Sequence, residues 1–252
     1  MNVTLLIPTL NEIEGLKAIM PRINPAWCDQ ILFVDGRSTD GTAEYLREHH
    51  YEYVVQRGPV SLFQAYRDAY PLIRGDVVIA FSPDGNSVPE AIPQLIQKMK
   101  EGNYDLVVAS RYMPGVRSAD DTWYSAFGNA LFTCLINFLF GGRYTDAMVM
   151  YRAFRKSLLE ELGLLSDPPF SLERLFSGTV CLVPLMAMRA AKKKLSIAEI
   201  PAAEPARIGG VAKCRHFVWG TIYLLEMVQE RLIWNFKPTR VSANPSTSGS
   251  GS

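Results

Sequence analysis

The chain reads as an α/β fold, a mostly parallel twisted sheet sandwiched between helices and followed by a helical C-terminal elaboration. Three observations carry that reading. Short apolar runs alternate with helix-patterned segments through the first 112 residues, the rhythm of parallel strands joined by crossover helices. Several runs are apolar at successive positions, as strands covered on both faces must be. Each run also ends in a polar loop, and open α/β sheets place their ligands at the carboxyl ends of their strands.

VTLLIP is the first strand, with a helix expected from about Glu12. QILFVD follows, with a helix from about Thr42, and then YEYVVQ, with a helix near residues 61–72. GDVVIAF is the fourth strand, a helix is expected near residues 89–100, and DLVVAS closes the first half. Beyond Tyr112 the segments lengthen: an apolar stretch over 123–140, a turn at Gly141 and Gly142, and the block YTDAMVMYRAFRK. A helix over 185–194, a strand-like SIAEIP, the loop ARIGGVAK and an amphipathic helix from Arg215 to about Phe236 complete the pattern. One domain is expected over residues 1–240, with halves at 1–112 and 113–240. The last residues, 241–252, end in STSGSGS and read as a flexible linker of recombinant origin.

Bulk composition narrows the function classes. With 252 residues and 48% hydrophobic content, the chain can fill the core of one large domain. Its 26 Lys and Arg against 25 Asp and Glu leave a net charge of +1, too little to expect a nucleic-acid partner. The C-terminal part is more basic, with Lys192, Lys193 and Lys194 in a row, which suits a solvated face or contact with anionic headgroups. Four cysteines, Cys28, Cys134, Cys181 and Cys214, lack paired spacing, and the start of the chain carries no signal-peptide pattern, so a reduced cytoplasmic setting is expected. The apolar run over 126–140 is shorter than a spanning helix needs and reads as buried or interfacial.

The most informative stretch is GDVVIAFSPDGNSVPE, residues 75–90. An apolar strand there breaks into a short acidic turn, where an α/β fold places a carboxylate that holds a metal against a pyrophosphate. Asp84 is that carboxylate. The other strand ends carry Pro8, Thr9 and Glu12, then Asp35 and Asp40, then Arg57, and finally Ser110 and Arg111. Asp40, in DGT, is read as a helix cap.

Taken in order, PTLNE, VDGRSTDGT, SPDGN, SRY, DAMVMYRAFRK and AEIP with RIGGVAK resemble the family 2 glycosyltransferases of the GT-A fold, most closely the branch of dolichol-phosphate mannose synthases. The resemblance implies transfer of a sugar, with inversion, from a nucleoside-diphosphate donor. It places the donor's nucleoside near Pro8, Thr9, Glu12 and Asp35, and its phosphates near Arg111, Arg207 and Lys213, with Arg57 also among the donor-binding residues and Gly209 and Gly210 allowing a loop to close. Mg²⁺ or Mn²⁺ would sit on Asp84 and Asn86. The family's usual Asp-x-Asp is here Ser82-Pro83-Asp84, so one carboxylate is missing and the metal should be held more weakly.

Asp146 lies where relatives carry an acidic residue near the acceptor, and it is the expected base for a hydroxyl acceptor. Its alternative is an ion pair with Arg152 or Arg143. The acceptor is expected to be a sugar or a lipid-linked molecule. No arginine cluster precedes the apolar helix, where synthases of lipid phosphates tend to have one; Asp120 and Asp121 stand there, with Arg117 as the nearby cation. The C-terminal aromatic helix suits packing on the chain's own core, on a second copy in a homo-oligomer, or peripheral contact with the inner membrane face. A nucleotidyltransferase and a catalytically inactive nucleotide-sugar-binding protein are the rival readings.

Overall fold

A computed structural model describes residues 1–116, 118–166, 182–208 and 216–232. Its strands are β1 (Val3–Thr9), β2 (Gln30–Asp35), β3 (Glu52–Val55), β4 (Val77–Ala80), β5 (Leu106–Ser110), β6 (Arg152–Arg155) and β7 (Ile197–Pro201). They form one seven-stranded sheet in the order β3-β2-β1-β4-β6-β5-β7. All neighbours run parallel except β6, which is antiparallel to both β4 and β5. The helices are α1 (Ile13–Ile19), α2 (Thr42–Glu48), α3 (Leu62–Ala69), α4 (Ile92–Gly102), α5 (Trp123–Phe140), α6 (Leu158–Glu161), α7 (Leu182–Lys192) and α8 (His216–Leu232).

Side chains alternate across the sheet, so each strand feeds two cores. Leu6, Val34, Val78, Val108 and Phe154 pack with α3, α5 and α7 on one face. Leu5, Phe33, Ile79, Val107 and Ala153 pack with α1, α2 and α4 on the other. All four residues of β4 are buried, which is why its sequence shows an unbroken apolar run. Each such Val, Leu or Ile contributes about 1.5–3 kcal/mol by leaving water.

Helix ends follow their residues. Ser61 Oγ accepts the Gln64 amide at the start of α3, and Thr122 with Ser125 forms a capping box on α5, which Gly141 closes at φ +76°. Asp40 acts one position earlier than a usual cap. Its Oδ1 accepts the Thr42 amide and its Oδ2 the Ile13 amide, so one carboxylate ties the first turns of α2 and α1. Burial pushes the Asp40 carboxyl up, but these bonds prevail and hold it below the usual value.

The strand β6 was not foreseen in YTDAMVMYRAFRK. RAFR is short and has arginine at both ends, so it shows no apolar run. Arg152 is nonetheless 2% exposed. Its guanidinium donates to the carbonyls of Val149, Val183 and Ala147, and these bonds offset its desolvation.

Helix α5 departs from the buried alternative. The helix begins before the apolar run of 126–140, so the expectation that it is too short to span is corrected: by length and composition alone it could cross a membrane, and only 17% of it is buried. Trp123, Phe127 and Phe138 stand 82%, 66% and 83% exposed.

Helices α7 and α8 are joined by a buried bidentate ion pair, Arg189 Nε and Nη2 to Glu230 at 3.0 and 2.7 Å. Arg189 also donates to the carbonyls of Leu162 and Gly163. Both ion-pair side chains are 5% exposed. Removing one partner of such a pair strands the other charge, so Arg189→Met is expected to lower the unfolding free energy in urea by about 3–5 kcal/mol. A loss under ~1 kcal/mol would show that water reaches Glu230 and that the pair does not hold the two helices.

Candidate active site

The order β3-β2-β1-β4 places the reversal of chain direction across the sheet between β1 and β4, where a crevice opens at the carboxyl ends. Residues 82–87 form the turn that leaves β4 there. A Cβ added to Gly15 of α1 would come 2.3 Å from the Pro83 carbonyl oxygen, so the turn rests directly on helix backbone. From the other side the segment after β7 crosses it. The Ile208 amide donates to the Asp84 carbonyl at 2.8 Å, and a Cβ on Gly85, at φ +97°, would strike Ile208. The acidic turn is clamped between α1 and residues 207–208.

Asp84 is 6% exposed. Its Oδ2 pairs with Arg207 Nη1 at 3.0 Å and its Oδ1 accepts the Asn86 amide at 3.0 Å. Asn86 Nδ2 donates to Asp120 Oδ2 at 3.0 Å, which fixes the side-chain amide. Asn86 Oδ1 is buried and has no hydrogen-bond partner among the described residues. Asp84, Asn86, Arg111, Glu204 and Arg207 line one cavity of about 210 Å³, with Ser82 also on its wall.

Arg111, at the end of β5, organises the other side. Its Nε and Nη2 grip Asp146 at 2.6 and 3.0 Å, and its Nη1 reaches both oxygens of Glu204 at 3.2 and 3.3 Å. The two carboxylates push the Arg111 pKa further up, against the pull of its burial. Asp146 has no exposed surface. Beyond Arg111 it accepts the amides of Met148 and Val149. The expected alternatives for its ion pair, Arg152 and Arg143, are corrected to Arg111. Glu199 of β7 holds the segment in place by accepting the amides of Thr145 and Asp146.

The residues expected at the first two loops lie on the neighbouring rim, outside this cavity's wall. Pro8 and Thr9 end β1, and Thr9 is buried. Asp35 ends β2 with its carboxylate accepting the Ser38 amide at 3.1 Å. Glu12 stands just before α1, its amide donating to Thr42 Oγ1. Arg57 is exposed, and its amide donates to Asp68. Arg117, Gly209, Gly210 and Lys213 lie outside the described residues.

No role was expected for Glu204, or for Glu199 beyond its place in the AEIP block; Glu204 follows shortly after the carboxyl end of β7, which was the available signal. Of Asp120 the sequence showed its position but not its bond to Asn86.

The arrangement can support a divalent ion at a reduced site. Asn86 Oδ1 is an orphaned hard acceptor beside the Asp84 carboxylate, as an oxygen-ligated ion requires. Among the described residues no cluster of three or more His, Cys, Asp or Glu could hold a metal by itself.

Substituting Gly15→Ala places a methyl group against the Pro83 backbone and is expected to displace the acidic turn. A crystal structure of the variant should show Pro83 and Asp84 moved and the Asp84–Arg207 pair broken; an unmoved turn would show that α1 yields instead.

The family model for glycosyl transferase family 2 matches residues 4–163. A polyprenol monophosphomannose synthase of Mycolicibacterium smegmatis is 30% identical over 82% of this chain and 79% of its own. An undecaprenyl-phosphate 4-deoxy-4-formamido-L-arabinose transferase of Edwardsiella ictaluri is 29% identical over 64% of this chain, which spans about half, 51%, of that relative. Among solved structures, glucosyl-3-phosphoglycerate synthase from Mycobacterium tuberculosis, in complex with Mn²⁺, UDP and glucosyl-3-phosphoglycerate, superposes with a TM-score of 0.63 at 18% identity, covering 91% of this chain and 79% of that one. With this sheet, this acidic turn and these matches, the chain belongs to the family 2 glycosyltransferases, in the dolichol-phosphate mannose synthase-like branch, with a GT-A fold.

Proposed function

We propose that the chain moves one sugar from a nucleoside-diphosphate donor, bound across the β1–β4 crevice, to a sugar or lipid-linked acceptor, with inversion. The observation that carries this reading is the cavity wall where Asp84, the orphaned Asn86 Oδ1 and Arg207 meet. A Mg²⁺ or Mn²⁺ ion held by Asp84 and Asn86 would neutralise the charge that grows on the departing diphosphate. Arg207, paired with Asp84, is a cation the chain supplies itself and would stand beside the donor's phosphates. Arg57 and Lys213 would add positive charge. The nucleoside would lie against Pro8, Thr9, Glu12 and Asp35, where carboxylates can accept bonds from a base or ribose.

The Mn²⁺ and UDP complex of the structural neighbour supports the metal and the donor class. The names of the polyprenol and undecaprenyl relatives support a lipid-linked acceptor, and the exposed aromatic side chains of α5 support peripheral membrane contact. Asp146, sealed against Arg111, serves in this scheme to orient the end of β5. Ser82 in place of a second carboxylate favours one rival, a binding protein without catalysis. Donor binding with no release of nucleoside diphosphate would select it.

Screening UDP-, GDP-, CDP- and dTDP-sugars with and without Mn²⁺ should find a donor that raises the melting temperature, more so with the ion. Asp84→Ala is then expected to lower metal-dependent release of nucleoside diphosphate by about 10²-fold or more, with an unchanged far-UV circular dichroism spectrum. Full turnover in that variant overturns the assignment of Asp84.

A further inference from the structure

We infer that Asp120 is the positioning residue that turns the Asn86 amide so that its oxygen, and not its nitrogen, faces the ion. The inference rests on the metal-assisted reading above and deepens it. An amide side chain is two-faced: its oxygen can ligate a hard cation and its NH₂ group cannot. With Ser82 in place of a second carboxylate, the face that Asn86 presents decides whether the ion meets Asp84 alone or Asp84 with a further ligand.

The hydrogen bonds around Asn86 set that face. Its backbone amide donates to Asp84 Oδ1 at 3.0 Å, which draws the residue in beside the first ligand. Its side-chain Nδ2 donates to Asp120 Oδ2 at 3.0 Å. Its Oδ1 is left buried, without a hydrogen-bond partner among the described residues, on a side chain that lines the same cavity as Asp84 and Arg207. A buried oxygen in that state is costly unless something binds it. Half a turn of the amide would set the oxygen against the Asp120 carboxylate, acceptor facing acceptor, and would lose the N–H bond as well. An ionised carboxylate only accepts, so this partner admits one orientation of the amide.

Asp120 is itself held. It sits on a strap, residues 118–121, that leads into α5 and is fastened on both sides of it. Upstream, Ser118 Oγ donates to Glu204 Oε2 at 2.5 Å and the Ala119 amide donates to the Glu204 carbonyl at 2.7 Å. Downstream, Asp121 Oδ2 accepts the Tyr112 hydroxyl at 2.6 Å, and its Oδ1 accepts Ser125 Oγ of α5 at 2.9 Å. Asn129, a further turn along α5, donates to the same Tyr112 oxygen at 2.8 Å. The adjacent acids before α5 therefore have separate duties: Asp121 fastens the start of the helix, and Asp120 reaches across to the acidic turn. Asp120 is exposed apart from this bond, so replacing it removes little packing.

A negative charge near an ion also favours binding, and the choice of variants separates that effect from orientation. Binding of Mn²⁺ to the full chain is measured by loss of the free-ion electron paramagnetic resonance signal, with whichever of UDP, GDP, CDP and dTDP stabilises the wild type most. Asp120→Ala frees the amide to turn and is expected to weaken Mn²⁺ binding about 10–100-fold, as loss of the partner behind a ligand does. Asp120→Asn removes the charge but keeps an oxygen for Asn86 Nδ2, and should recover most of the affinity. In an Asn86→Ala background, Asp120→Ala should have no further effect, because no amide remains to be oriented. Equal affinities for wild type and Asp120→Ala overturn the inference. So does an Asp120→Asn affinity as low as that of Asp120→Ala, which assigns the effect to charge, and so does the same loss from Asp120→Ala with and without Asn86. In each of these cases Mn²⁺ binding by the wild type leaves the metal-assisted reading standing. A wild type that binds no Mn²⁺ with any of these nucleotides overturns both.

Discussion

A single guanidinium joins the parts of this site that lie far apart in the chain. Arg111 leaves the end of β5, grips Asp146 just upstream of β6, and reaches Glu204 just downstream of β7. Each of those strands pairs with β5 in the sheet. The ion cluster is therefore the rim-side continuation of strand pairing that the core has already fixed. An Arg 12% exposed between carboxylates 0% and 13% exposed costs desolvation on all sides, and the fork geometry of its bidentate bonds offsets it. The same geometry divides labour between two chemically similar acids, by closing one and leaving the other at the cavity.

The acidic turn after β4 is built on a different principle, close backbone approach. Gly15 below it leaves no room for a side chain, and Gly85 within it takes a left-handed conformation under Ile208. Between these contacts Asp84 has little freedom, which is how a site with one carboxylate fewer than its family's usual motif can still present an ordered oxygen. Arg207 compensates for the change in charge. Where a second acid would have called for a metal, a chain-borne cation already pairs with the remaining one.

Much of the fold was legible because its strands are short, apolar and regularly spaced. The first five strands and α1 to α4 fall where the periodicity puts them, and Thr122 and Gly141 bracket α5 as cap residues do. What escaped was β6, whose RAFR offers no apolar run because its buried arginine is satisfied by carbonyls that only the tertiary structure brings near. The clustering of Asp84, Asn86, Arg111 and Arg207 follows from strand ends sharing one rim. The pairing within the cluster does not, since it depends on which long side chain meets which acid across elements remote in sequence. Hence Glu204 received no role from the sequence, and the ion pair offered as the alternative for Asp146 named Arg152 or Arg143 where the structure has Arg111.

The placement of β7 also bears on how the molecule comes into being. Leu106 pairs with Ile197, so the edge of the sheet beside β5 waits for a strand made much later. Contacts so distant along a chain close slowly, because loop entropy must be overcome before any bond forms. During synthesis the β1–β2–β3 pairs can assemble first. The strap of residues 207–208 follows β7 in the chain, so on the ribosome the turn after β4 stays unclamped on that side until residue 208 has emerged.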